Sequence, residues 1–146
     1  MLHSSVPDEV RPELKWEVER GLSISDDSLA EAGTIAKEWS DVLEGLFANK
    51  YDVIALPSAQ LWPFPAEWNW PKEIAGKKMD SYHRWMEVVV PVSLAGLPCV
   101  TVPAGFGSNG LPIGIQLAGR RGEDAKLLRL AQAYHEAVDW PSKQPA

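Results

Sequence analysis

Polar and apolar positions divide the chain into stretches of different period, and one stretch stands apart. Residues 88–119, VVVPVSLAGLPCVTVPAGFGSNGLPIGIQLAG, contain no charged side chain. Their first twenty positions hold three Pro and three Gly. A membrane-spanning helix needs about 20 apolar residues without repeated breakers. The pattern therefore predicts two short buried strands, over 97–103 and 112–118. In the connecting AGFGSNGL, Asn109-Gly110 is a strong turn signal between apolar runs. Strands apolar on both faces belong in the middle of a sheet covered by helices on each side. The expectation is an α/β fold: a mixed, largely buried β-sheet flanked by helices.

Helical periodicity surrounds this stretch. Apolar residues recur at Leu29, Ala32, Ala36, Trp39, Leu43 and Phe47, which predicts a helix over 26–48 covering a sheet face. Ser25 suits its N-cap, Asp26 and Asp27 suit the positive end of its dipole, and Asn49 is a fair stop. A shorter helix is predicted over 13–20, with Gly21 as its C-cap and Leu14 docking on Val18. Residues 51–57 read as a strand. Residues 79–90 read as a helix with Asp80 as cap and Pro91 as stop. Its one face carries Tyr82, Trp85, Met86 and Val89, and another carries His83, Arg84 and Glu87. A final helix is expected over 123–138, through Leu127, Leu130, Ala131, Tyr134 and Val138, followed by a tail over 140–146. Residues 58–78, SAQLWPFPAEWNWPKEIAGKK, hold three Pro, three Trp and a Phe and read as an irregular Trp/Pro-rich loop. Loops of that length are often functional. No repeat appears, and 146 residues suit one domain or partial domain.

Charge and residue counts narrow the chemistry. The formal net charge is −6, and no basic cluster exceeds the pair Arg120-Arg121, so nucleic-acid binding has no electrostatic footprint. The one Cys forms no internal disulfide framework and fits a reducing compartment. The opening MLHSSVPDEV lacks the apolar core of a secretory signal. A cytoplasmic protein without membrane attachment is expected. No His or Cys residues have metal-ligand spacing. AGFGSNG leads from strand to strand without a Lys, so it is no phosphate cradle. Cys99 in LPCVTVP reads as a small apolar core residue. Asp80 and His83 can meet on a helix, but Ser81 faces away from His83, so the three read as a polar helix face. His3 and His135 complete the imidazoles, and a surface position is expected for His135.

The apolar stretch also carries a resemblance. Leu94, Gly96, Pro98, Pro103, Gly105, Gly110, Leu111, Pro112, Gly114 and Gln116 stand where the amidase signature family, serine hydrolases of carboxamides, has its C-terminal motifs. Family members commonly read Asn-Leu-x-Gly-x-Pro, an apolar strand ending in Pro-x-Gly, then Gly-Leu-Pro-x-Gly-x-Gln. Ser93 replaces the usual Asn. Asp52 and Pro57 match the family's Asp-x-(apolar)-x-Pro-Thr segment, with Ser58 for Thr. The resemblance runs over about residues 7–138 and covers only the family's C-terminal portion. It implies the C-terminal part of an α/β/α fold acting on a small-molecule amide, with neither metal nor cofactor.

That family uses a Ser–cis-Ser–Lys triad beside a Gly/Ser-rich loop. A serine hydroxyl needs a positioned base to take its proton, here a buried neutral lysine. Glycines let backbone N–H groups approach the developing oxyanion. None of the eleven serines lies in a Gly-Ser-Ser-Gly context, and Gly107-Ser108-Asn109-Gly110 is a turn in the wrong place. The catalytic segment is expected before residue 1, and this chain is expected to be inactive alone. The family's equivalent of residues 58–78 is variable and lies near the acyl pocket. The resemblance therefore makes Trp62, Phe64, Trp68 and Trp70 candidates for lining a substrate site, and Trp85 and Met86 join them as candidates for substrate binding. The alternatives stay open that these aromatics pin the loop to the body or meet another chain. Gln116 either braces a catalytic loop or bonds neighbouring backbone. The partners implied are a chain supplying the catalytic segment or a second copy of this one. The alternative is a non-catalytic binding or assembly module that homo-oligomerises or pairs with another chain.

Overall fold

The computed structural model describes residues 10–139. The expectations for His3, for the opening residues and for the 140–146 tail lie outside them. The chain forms two compact units, Met1–Glu38 and Trp39–Ala146.

The first unit contains α1 (Pro12–Leu22) and the start of α2 (Asp26–Asn49). Pro12 opens α1, where its missing N–H costs nothing. The helix passes through Gly21 and stops at Ser23, whose Oγ donates to the Arg20 carbonyl at 2.7 Å. The hydroxyl satisfies a terminal carbonyl, so the expected glycine cap is not needed. Leu14 stays exposed, and α1 buries no residue. Ser25 does cap α2: its Oγ accepts the Ser28 N–H at 3.2 Å.

The second unit is built on a three-stranded antiparallel sheet. Its strands are β1 (Ile54–Pro57), β4 (Cys99–Phe106) and β5 (Pro112–Ala118), in the order β1-β5-β4. The Asn109-Gly110 turn forms as expected, with Gly110 at φ 74° and Asn109 Oδ1 accepting the Leu111 N–H. The strands run closer to it than the composition suggests, so the connection shrinks to residues 107–111. β5 is central and ends in the buried run Gln116, Leu117, Ala118. β4 is an edge strand with one face open. Cys99, expected in the core, is exposed. Pro103 is tolerated there because it faces Gly114 at a position where no N–H points to β5. The irregularity between Pro103 and Gly105 bulges this edge.

Helix α4 (Asp124–Val138) packs on β4 and β5. Leu127 and Ala131 meet Val102 and Leu117 in the core cluster, each large side chain contributing about 1.5–3 kcal/mol by leaving water. Tyr134 Oη donates to the Pro103 carbonyl at 2.9 Å. The end of α2 buries Leu43. Its apolar stripe is thus half used: Leu29, near the start, is 65% exposed.

The 79–90 region is not one α-helix. A 3-10 helix (Arg84–Val89) runs into the short α3 (Val90–Leu94), with Pro91 in the first turn of α3. Proline suits that position as well as a stop. Within the expected loop, β2 (Glu73–Ile74) and β3 (Lys77–Lys78) form a hairpin. Ala75 and Gly76 both have positive φ, 50° and 78°, the signature of a type I′ turn.

Candidate functional site

The ends of β1 and β5 set the site. Ser58 N–H donates to the Gly114 carbonyl at 3.0 Å. A Cβ on Gly114 would stand 2.7 Å from Ser58 Oγ and 3.1 Å from Thr101 Cγ2. Glycine is therefore what lets the three strands close up at this point. The chain leaves β1 here, and Gln60 Nε2 anchors it by donating to the Arg84 carbonyl at 2.9 Å.

Around Gly114 lies a hollow of about 170 Å³, lined by Ser58, Trp62, Phe64, Trp85 and Ile113 among others. Phe64 meets Trp85 edge-on at 5.7 Å, and Tyr82 meets Trp85 likewise at 6.0 Å. Such edge-to-face contacts fix ring orientation. Trp62 rests on the turn after β4: a Cβ on Gly107 would lie 3.2 Å from its ring and 2.8 Å from Asn109 Oδ1. Trp85 Nε1 is buried with no hydrogen-bond partner among the described residues.

Of the six candidates, Trp62, Phe64 and Trp85 thus come together, and Trp70 does not line the hollow. Trp68 stacks on Phe64 at 6.1 Å but is half-exposed and does not line the hollow. Met86 does not line it either. The Trp70 ring carries the Lys72 ammonium at 3.2 Å. Pinning of the loop and lining of the hollow are therefore divided among the aromatics. Pro112, Ile113 and Gly114 line the hollow as well. They read as structural in the sequence because small and apolar side chains carry no chemical signature.

Gln116 lies directly behind this wall. It is 3% exposed, and its Nε2 donates to the Pro57 and Val88 carbonyls at 2.9 and 3.0 Å. Its Oε1 lies 3.7 Å from Cys99 Sγ. Gln116 therefore bonds neighbouring backbone. The flanking Gly96 has φ 61° and Arg121 against it, and Arg121 donates to the Ala95 carbonyl. The Pro98 carbonyl accepts the Gly119 N–H at 3.0 Å.

The polar residues nearby are engaged in ways that serve structure. Asp80 caps no helix; it pairs with Arg84 at 3.3 Å, and Arg84 also pairs with Glu87. The Arg84 hydrogen bond holds the Asp80 carboxyl below its ordinary range. Burial pushes the Cys99 thiol up, away from the thiolate that nucleophilic chemistry needs. Among the described residues no group of three or more His, Cys, Asp or Glu is placed to hold a metal ion. No described helix is long and apolar enough to cross a membrane. The site offers apolar contact and shape, with the Ser58 hydroxyl at one side.

An antiparallel sheet layered with helices and carrying an aromatic wall at its strand ends defines the class, an α/β domain. The family follows from comparison. The amidase family model matches residues 1–128, and the chain belongs to that family, the amidase signature proteins. It is 39% identical over 115 residues to a glutamyl-tRNA(Gln) amidotransferase subunit of Ralstonia pickettii (strain 12J), covering 77% of this chain and 21% of that one. The amidotransferase subunit of the same description from Ralstonia nicotianae is 54% identical over 54 residues, 37% of this chain and 11% of that one. Among solved structures, a bacterial aryl acylamidase of the amidase signature family superposes with a TM-score of 0.78 at 22% identity, covering 94% of this chain and 29% of that chain. A 6-aminohexanoate cyclic dimer hydrolase superposes at 0.72 and 22% identity, covering 96% and 30%. The chain spans about a fifth or less of the length of these two curated relatives.

Proposed function

We propose that this chain is part of an amidase-like hydrolase that converts a carboxamide to a carboxylate and ammonia or an amine. It supplies sheet strands, covering helices and one wall of the acyl pocket. It does not supply the nucleophile, and alone it is inactive. The observation that carries this reading is the Trp62–Phe64–Trp85 hollow. At about 170 Å³ it is smaller than the roughly 300–1,000 Å³ that encloses a ligand, as expected for one wall of a site completed by other polypeptide. The single exposed Cys99 supports a reducing, cytoplasmic setting.

Assay of an aryl amide such as p-nitroacetanilide tests the reading. The purified chain is expected to release no p-nitroaniline above the uncatalysed rate. Turnover by the chain alone, abolished by Ser58→Ala, contradicts it.

A second reading, an assembly module that pairs with itself, is supported by exposed apolar side chains such as Leu94 and Leu128, 71% and 61% accessible. Light scattering separates the two: a stable homodimer favours self-assembly, a monomer the first reading.

A further inference from the structure

We infer that the hollow between the β2–β3 hairpin and the 3-10 helix is a second binding site, and that it takes a small organic carboxylate with an apolar body. It is separate from the Trp62–Phe64–Trp85 hollow and does not depend on the proposed function.

The hairpin fixes two lysines side by side. Lys77 pairs with Ile74 and Lys78 with Glu73. The Met79 N–H donates to the Lys72 carbonyl at 2.9 Å and closes the open end of the hairpin. The type I′ turn at Ala75-Gly76 closes the other end, so the backbone of both lysines is held. Both border a hollow of about 510 Å³, within the roughly 300–1,000 Å³ of small-molecule sites. Its other side comes from Arg84 and Glu87 of the 3-10 helix, with Asp80 just before it.

The charges around this hollow do not cancel. Arg84 is taken up by Asp80 at 3.3 Å and by Glu87, and these are the two carboxylates of the lining. Lys77 and Lys78 have no ion-pair partner among the described residues. Glu73, opposite Lys78 on the hairpin, does not line the hollow. Two ammonium groups are therefore left for an anion. A chain of net charge −6 repels anions at long range, so an anion that binds is held by local cations. Gln60 adds a neutral donor to the lining. Its Nε2 gives one N–H to the Arg84 carbonyl and keeps a second.

The rest of the lining selects what the anion is attached to. Ile74 and Met79, both half-buried, offer apolar surface. A bare inorganic anion leaves that surface and most of the volume unused. An aryl or alkyl carboxylate uses both. The matching carboxamide has the same body without the charge, so the two ammonium groups tell an acid from its amide. A long acidic peptide brings further charges against Asp80 and Glu87 and fits less well. Gln60 and Arg84 border this hollow while Ser58, Ala59, Leu61 and Trp85 border the aromatic one. The two hollows thus share a wall, and the site of binding has to be read residue by residue.

The test is a heteronuclear NMR titration of the full chain with phenylacetate, with phenylacetamide, inorganic phosphate and a poly-glutamate peptide in parallel. Phenylacetate is expected to give saturable shifts at the Lys77 and Lys78 amides and the Gln60 side chain. Its affinity is expected to exceed those of phenylacetamide and phosphate at least about tenfold. Lys77→Gln combined with Lys78→Gln is expected to weaken phenylacetate at least about tenfold, with the circular dichroism of the parent. Lys50→Gln, an exposed lysine outside the hollow, is expected to leave binding unchanged. Equal binding of the acid and its amide overturns the inference, and so does the absence of saturable shifts. Phosphate binding as tightly as phenylacetate makes the site one for a bare anion and overturns the ligand class. Tighter binding of poly-glutamate makes the occupant an acidic segment and overturns it as well. Shifts confined to Ser58, Trp62 and Trp85 place the ligand in the aromatic hollow and contradict a second site. None of these outcomes bears on the amidase reading, which has its own assay.

Discussion

Gln116 on β5 donates through its Nε2 to the carbonyl of Val88 at 3.0 Å, 28 residues away, while the same nitrogen reaches Pro57 at 2.9 Å. One buried amide thus ties the central strand to the end of β1 and to the 3-10 helix that carries Trp85. Gln116→Leu removes both bonds at once. At about 1 kcal/mol each, the loss is expected to be about 2 kcal/mol, read as a lower urea midpoint with unchanged slope. Gln116→Glu is expected to be worse at neutral pH, because a carboxylate would face two carbonyls, and to recover as acid protonates it. A Gln116→Leu variant as stable as the parent contradicts this role.

Gly114 is where three strands close up. Gly114→Ala places a methyl 2.7 Å from Ser58 Oγ and 3.1 Å from Thr101 Cγ2. Overpacking of this kind costs about 1–3 kcal/mol. Adding Ser58→Ala removes the nearest atom, so the double variant is expected to regain part of the loss. Additive effects in a double-mutant cycle contradict the clash.

Asp52 and Lys126 join the start of β1 to α4 at 2.8 Å. The hydrogen bond from Lys126 lowers the Asp52 carboxyl, and the same bond raises the Lys126 amine. The lowered carboxylate adds stability above its ordinary value and loses it as pH falls through its folded value. The raised amine adds stability below its ordinary value and loses it as pH rises through its folded value. Both groups are exposed, so the effect is small and screened by salt. Asp52→Asn is expected to lower Tm slightly at neutral pH and low salt, and to match the parent in strong acid. A difference that persists in strong acid contradicts the pairing.

Cys99 is exposed, yet burial of part of its surroundings raises its thiol. Iodoacetamide is expected to alkylate it once in the folded chain, with a rate that rises to higher pH than for a free thiol. Complete protection until unfolding would place it back in the core.

The sequence shows most where periodicity and turn chemistry agree. The β5 segment, α4, the long α2 and the Asn109-Gly110 turn all lie where the apolar spacing puts them. The misreadings have physical causes. An apolar run does not tell a central strand from an edge strand, so the exposure of Cys99 and the open face of β4 emerge only with the sheet order. The hairpin at Ala75-Gly76 hides in a segment of mixed polarity, because type I′ geometry there rests on an alanine at φ 50°. Pro91 suits both a helix stop and a helix start. At the site, Trp62, Phe64 and Trp85 are legible as large aromatics, while Gly114 and Ile113 lining the same hollow are not.

The proposed function places the nucleophile outside this chain. Labelling the purified chain with a serine-reactive fluorophosphonate, read by intact mass, tests it most directly. No adduct is expected. A stoichiometric adduct that disappears when the chain is denatured before labelling would mean that one of its own serines is activated, and would contradict the claim.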